Sequence, residues 1–256
     1  MVKEATARAV AKDLRRRVVL PIYKMVDDHA QARILGRKHK GEEISCTKGC
    51  AGCCYQLVRI SGAEALSLAS ELLNRLTKEE LQELKAKLGP AKQLVLDHPT
   101  LDGYMESATP CIFLKAHKQA WQGTCSIYES RPVACRIYHV VTPKEWCHPG
   151  QENAKQMIGQ VDTVHIWLSC ETVFNQATQE SGWDSSMPLA FGLSWAFLRL
   201  EEDLPPPAEE MRVLKKALKE MFKGEASQRG ETLTDEQQTR AAELFGTGPK
   251  SKNKLM

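Results

Sequence analysis

Cys46-Thr47-Lys48-Gly49-Cys50-Ala51-Gly52-Cys53-Cys54 brings four thiols onto one short loop. Gly49 and Gly52 are expected to take positive φ, which lets a backbone wrap a small centre. Cys53 and Cys54 are adjacent and poorly placed to bond each other, since a disulfide needs its Cα atoms several Å apart and a staggered torsion. Soft thiolates gain far more by coordinating zinc or iron. Packing alone gives no reason to concentrate cysteines between glycines, so the loop reads as a metal loop. The chain has 9 cysteines, and an odd number argues against a disulfide framework. An isolated thiol such as Cys170, within Ile166-Trp167-Leu168-Ser169-Cys170, reads instead as a small core hydrophobe.

Outward from the loop, Cys111-Ile112-Phe113-Leu114 and Gly123-Thr124-Cys125-Ser126-Ile127-Tyr128-Glu129-Ser130-Arg131-Pro132-Val133-Ala134-Cys135-Arg136 form a second sulfur-bearing group. The two stretches together resemble the YkgJ-like, CxxCxxCC-type family of zinc- or iron-chelating proteins over about residues 44–139. That family's pattern is a cysteine loop, then Cys-Pro-x-Leu, then Gly-x-Cys-x-Ile-Tyr-x-x-Arg-Pro-x-x-Cys-Arg. Here Ile112 stands where the proline is usual, and Cys46 and Cys50 are one residue further apart than the pattern has them. The resemblance implies Cys46, Cys50, Cys53, Cys54, Cys111, Cys125 and Cys135 as metal ligands. A closed tetrahedral zinc or a cubane cluster takes only four. Either some of the seven stand behind the ligands or act chemically, or two centres exist and Cys147, Cys170, His139 or His148 completes them. Arg131 and Arg136 read equally as cations that lower a neighbouring thiol's pKa and as structural bridges. Tyr128 reads as a core residue more readily than as a donor to a metal-bound sulfur.

Outside these stretches the sequence predicts a mainly α fold, a helical domain organised around a Cys-rich metal-binding core with a few short strands. Val10, Leu14, Val18, Ile22, Met25 and Val26 recur at three- and four-residue steps, predicting a helix over 3–38 that Pro21 kinks or divides. Ser61-Gly62-Ala63-Glu64 and Thr77-Lys78-Glu79-Glu80 are capping boxes opening helices over 62–75 and 78–88, with Gly89-Pro90 closing the second. Further helices are expected within 152–180 and 187–202, over 208–223, and from Thr234. Short strands are expected around 55–60, 111–114 and 137–142, too few for a doubly wound sheet or a (β/α)₈ barrel. The expected organisation is an N-terminal helical segment (1–40), a Cys-rich metal core (40–150), packing helices (151–204) and a C-terminal helical extension (205–256) with a frayed tail at 247–256.

Net charge is +3, which asks for no polyanionic partner. The basic residues of the N-terminal helix, Arg8, Lys12, Arg15, Arg16, Arg17, Arg33, Arg37, Lys38 and Lys40, read as a solvated face because no aromatic side chains are interleaved to stack bases. Nucleic acid is therefore not the expected partner. No apolar run reaches the roughly 18 residues of a membrane span, and the charged Met1–Arg8 stretch lacks a signal peptide's apolar core, so a cytoplasmic location is expected. Walker A, Gly-x-Gly-x-x-Gly, nucleophile-elbow and His-Glu-x-x-His motifs are missing.

The first functional reading is thus a zinc- or iron-binding protein whose thiolate centre holds the core together. A second starts from Cys46-x-x-x-Cys50-x-x-Cys53, which resembles the cluster loop of radical S-adenosylmethionine enzymes. The cysteine pattern also resembles flagellin lysine N-methylase. These resemblances imply a [4Fe–4S] cluster, S-adenosylmethionine and methyl transfer to a protein lysine. A third is a thiol-based metal chaperone or redox sensor. Candidate acids and bases such as Glu129 and His139 are too isolated in sequence to name a catalytic pair.

Overall fold

The computed structural model describes residues 7–42, 44–47, 49–98, 101–117, 122–141, 143–147, 149, 170, 173–174 and 186–202. The first helical stretch comprises α1 (Ala7–Leu14), a π-helical turn (Arg15–Val19) and α2 (Leu20–His39). Pro21 was expected to kink or divide this helix. Instead it sits in the first turn of α2, immediately after the π turn, where the Leu20 N–H donates to the Arg15 carbonyl five residues back. The wider turn absorbs the donor that proline lacks, so the chain stays helical through it.

The two capping boxes form as the sequence dictates. Ser61 and Glu64 open α3 (Gly62–Arg75), and Thr77 and Glu80 open α4 (Lys78–Asp97), each with side chain and backbone bonded reciprocally. Helix α4 does not stop at Gly89-Pro90. Its apolar stripe continues through Leu84, Leu88, Ala91, Leu94 and Val95 into the main core, and that burial outweighs the lost N–H at Pro90. A short α5 (Leu101–Glu106) follows. The chain then forms a hairpin of β2 (Leu114–Ala116) and β3 (Gly123–Cys125), a 3₁₀ turn at Tyr128–Ser130, α6 (Val133–Ile137) and a second 3₁₀ turn at Lys144–Cys147. Beyond it, β4 (Met187–Pro188) pairs antiparallel with β1 (Arg59–Ile60) and leads into α7 (Leu189–Glu202).

The fold is mainly α, as expected, and among the described residues the strands form two two-stranded sheets. The run at 137–142 was expected to be a strand and is not one over its described residues. Val140 bonds the 45–46 segment through one backbone contact and one to sulfur, which is no ladder. The helices expected within 152–180, over 208–223 and from Thr234, the 205–256 extension and its tail, and His148 lie outside the described residues, except for Cys170, Val173 and Phe174.

Helix α3 is buried on most of its surface, with α1 along one side and α7 along another, and α4 packs on α7. This helical layer carries the main apolar core, including Leu66, Leu68, Leu72, Leu193, Trp195 and Phe197. A second cluster, with Val19, Ile22, Tyr23, Val26, Val133 and Phe174, joins α2 to α6. Arg15, counted above with a solvated basic face, proves half-buried: it pairs with Glu71 of α3 at 2.6 Å and donates to Ser67 at 3.1 Å. Ser130 also donates to Glu71, so this network ties the first helix to the second cysteine stretch. None of the helices among the described residues is long and apolar enough to cross a membrane.

Candidate metal centre

The first cysteine loop is shaped by its glycines for different reasons. Gly49 has φ +93°, a conformation that side chains with a Cβ resist. Gly52, also expected at positive φ, does not adopt it. It is needed for space, since a Cβ there would stand 2.6 Å from the Cβ of Cys147. Gly52 opens the 3₁₀ turn Gly52–Tyr55 that carries Cys53 and Cys54, so this close approach sets where both thiols stand. Gly52→Ala is expected to cost roughly 1–3 kcal/mol by overpacking and to weaken metal binding, read by thermal unfolding and metal content together.

Backbone hydrogen bonds join the two cysteine stretches directly. The Gly123 N–H donates to Gly49 at 3.0 Å, Cys50 forms an isolated bridge with Gln122, and the Cys111 N–H donates to the Cys54 carbonyl at 2.7 Å. In the hairpin Leu114 lies opposite Cys125, three residues beyond Cys111. The Ser45 N–H donates to Val140 at 3.1 Å, closing the far side.

The result is one cavity of about 310 Å³ lined by all seven cysteines, Cys46, Cys50, Cys53, Cys54, Cys111, Cys125 and Cys135. Val58, Phe113, Ile127 and Leu189 give it an apolar wall, and Tyr128, Arg131, Tyr138 and His139 a polar one. Cys147 and Cys170 do not line it. Cys147 packs with Met105 and Val140, and Cys170 lies in the cluster between α2 and α6. Tyr138 carries no sequence signal beyond following Cys135 closely, whereas His139, a candidate for completing a second centre, stands in the cavity wall.

Burial governs the thiols. It pushes Cys46 up to about 11 and Cys111 up to about 12, and raises Cys125 and Cys135. Cys53 is raised first by its hydrogen bond with Cys54 and then by burial. Backbone donors oppose the shift: Val140 N–H to Cys46 Sγ at 3.2 Å, Phe113 N–H to Cys111 and Ile127 N–H to Cys125. Such N–H···S bonds favour the charged sulfur and tune a bound metal. Burial lowers the pKa of His139 and so favours its neutral imidazole at the wall.

The two arginines of the motif divide the roles the sequence left open. Arg131 lines the cavity, stacks 3.9 Å over the Tyr128 ring, and its charge favours the thiolates of Cys53, Cys125 and Cys135. Arg136 faces away and is structural. It is 4% exposed, stacks 4.0 Å over Tyr23, pairs with Asp27 at 2.5 Å, and donates to the carbonyls of Arg131 and Glu129.

Beneath this segment lies Glu64, 4% exposed. Its carboxylate accepts from the Ser61 N–H at 3.0 Å, the Ser61 hydroxyl at 2.9 Å and the Val133 N–H at 2.7 Å, and also bonds the Tyr23 hydroxyl. One side chain therefore caps α3 and holds the first residue of α6, two positions before Cys135. Burial raises its pKa, and these donors pull it back.

The donor set fits a thiophilic cation: neutral thiols, N–H···S donors, an arginine and a neutral imidazole converge on one cavity. Among the described residues, no three His, Cys, Asp or Glu side chains stand close enough to hold one ion. No curated protein and no solved structure matches the chain. Residues 45–161, which carry eight of the nine cysteines and all the lining of this cavity except Leu189, match the model of the CxxCxxCC family, described as a putative zinc- or iron-chelating domain.

Proposed function

We propose that residues 45–161 form a thiolate centre for zinc or iron in which Cys46, Cys50, Cys53, Cys54, Cys111, Cys125 and Cys135 are the ligands. The observation that carries this reading is that thiols from two stretches more than fifty residues apart line one cavity, while Cys147 and Cys170 do not. When bound, the metal supplies a strong electrostatic link between the loop at 46–54 and the segment at 111–135. The chain's own residues prepare for it. Arg131 offsets part of the thiolate charge, Val140, Phe113 and Ile127 donate to sulfur, and the apolar wall keeps water from competing for the ligand positions.

Proton release tests the ligand set. With Cys46 near 11 and Cys111 near 12, these thiols are protonated at neutral pH, so each one that coordinates releases a proton. Apparent zinc affinity should therefore rise with pH, by about tenfold per pH unit for each proton displaced from a ligating thiol, until the pH passes those values. Calorimetric titration of zinc at pH 6, 7 and 8 in buffers of different ionisation enthalpy reads both quantities. A pH-independent affinity with no proton release would contradict thiol ligation.

The cavity's volume and apolar wall support a second reading, an iron–sulfur centre with room beside it for an organic cosubstrate such as S-adenosylmethionine, acting on a protein lysine. Against it, the two-stranded sheets among the described residues are not the barrel that usually surrounds such a cluster. Anaerobic reconstitution should then give broad visible absorption and, under reduction, cleavage of S-adenosylmethionine. Intact cosubstrate would leave the chelating reading alone.

A further inference from the structure

We infer that Arg131 anchors a binding site for a small organic carboxylate whose apolar body lies along the wall formed by Val58, Phe113, Ile127 and Leu189. The inference goes beyond the metal reading, because it assigns a ligand to the part of the cavity wall that carries no sulfur.

The first support is an unmet donor. Arg131 stands in the lining of the cavity, and its Nε is buried without a hydrogen-bond partner. The guanidinium stacks on the Tyr128 ring, 3.9 Å from its centroid, and a π face beneath the plane does not take up the N–H groups that point outward within it. Buried polar groups in folded chains are nearly always satisfied, because leaving one unpaired is costly. An unpaired Nε at a cavity wall therefore marks a position for a ligand oxygen.

The second support is how firmly this arginine is held. Arg131 precedes Pro132 and takes the extended conformation, φ −60° and ψ 144°, to which a following proline restricts it. Its carbonyl accepts from Arg136 Nε at 2.9 Å. With the backbone fixed and the guanidinium stacked, little of the anchor remains to be ordered when a ligand arrives.

The surroundings select the class of anion. Among the described residues, no lysine and no second arginine lines the cavity. The Val133 N–H, which opens α6, is already taken by Glu64. One planar fork matches the two oxygens and single charge of a carboxylate, whereas a phosphate dianion would call for further donors. The four apolar side chains then cover the body of the ligand. A volume of about 310 Å³ lies at the lower end of the range for pockets that enclose small organic molecules around a few polar anchors.

The test uses the full chain labelled with ¹⁵N-arginine, offered zinc, assayed for bound zinc and titrated with benzoate. The expected result is saturable binding of one benzoate per chain that shifts the Nε–H resonance missing from Arg131→Lys. That variant keeps the positive charge and the zinc content but loses the fork, and should bind benzoate about tenfold more weakly. Benzyl alcohol, the same ring without the charge, should also bind at least about tenfold more weakly than benzoate, and inorganic phosphate should not displace it. No saturable binding, equal affinity in Arg131→Lys, equal affinity for benzyl alcohol, or displacement by phosphate would overturn the inference. If Arg131→Lys does not fold or loses zinc, the comparison of benzoate, benzyl alcohol and phosphate on the wild-type chain decides. Zinc held on sulfur with no benzoate bound removes this inference alone, and benzoate bound to a chain that takes up no metal removes the metal centre alone.

Discussion

Stripping the metal from the full chain is expected to release the cavity walls while leaving the helical layer folded. The walls, residues 44–47, 49–56, 111–117 and 122–141, consist of short turns, one small hairpin and the five-residue α6, with few backbone bonds between them among the described residues. Their buried apolar residues, Ala51, Phe113, Ile127, Val133 and Val140, offset only part of the entropy of ordering them. Helices α3, α4 and α7 are anchored instead by a core that owes little to sulfur. Structural zinc in small Cys-rich domains contributes on the order of 10–16 kcal/mol of apparent binding energy that appears as folding energy. Amide exchange in the walls should therefore accelerate by at least about a hundredfold on metal removal, while exchange in α3 and α7 changes little. Hydrogen exchange read by mass spectrometry resolves the two regions. Equal protection in the loaded and stripped protein would mean that the walls are held by packing alone.

Glu64→Ala is expected to be the most damaging single substitution outside the cysteines, at about 3–5 kcal/mol. It removes a buried acceptor from four donors on three separate elements, leaving the Ser61 and Val133 N–H groups and the Tyr23 hydroxyl without that partner. It also frees the first residue of α6, so Cys135 should lose its position and metal affinity should fall with stability. Glu64→Gln keeps an acceptor for Val133 but turns an amide toward Ser61, and should fall between wild type and alanine. Urea unfolding of the loaded protein measures the difference. A loss below about 1 kcal/mol for the alanine variant would mean that the network is not holding α6.

Glu64 also shows how unevenly the sequence discloses the structure. Its capping box with Ser61 is local, spans three residues, and was legible before any coordinates. Its bond to Val133 crosses sixty-nine positions and carries no local signal. The same distinction explains the other differences. Gly89-Pro90 is a local stop signal, overridden because residues beyond it extend α4's apolar stripe into a core formed with α7. The strand expected around 55–60 forms only as the two-residue β1, and its partner β4, equally short and far along the chain, has too little alternation to be read alone. Gly52 was correctly marked as special, but the reason lies in its neighbour Cys147, not in its own dihedral angle. For the site, the clustering of four thiols between glycines marked the loop at 46–54, and the family resemblance implied the set of seven that line the cavity. The separate roles of Arg131 and Arg136 depend on how the chain turns into α6 and which side of it is buried, and a five-residue helix has too little periodicity to show that.

The central claim is that sulfur from both stretches binds one metal centre, and X-ray absorption tests it most directly. The full chain, purified without oxygen, is analysed for zinc and iron and then measured at the edge of whichever metal it holds. The account predicts a shell made of sulfur at about 2.3 Å, reduced alike by Cys46→Ser in the first stretch and by Cys135→Ser in the second. A shell of nitrogen and oxygen only, or a sulfur shell that one of these substitutions leaves untouched, would contradict it.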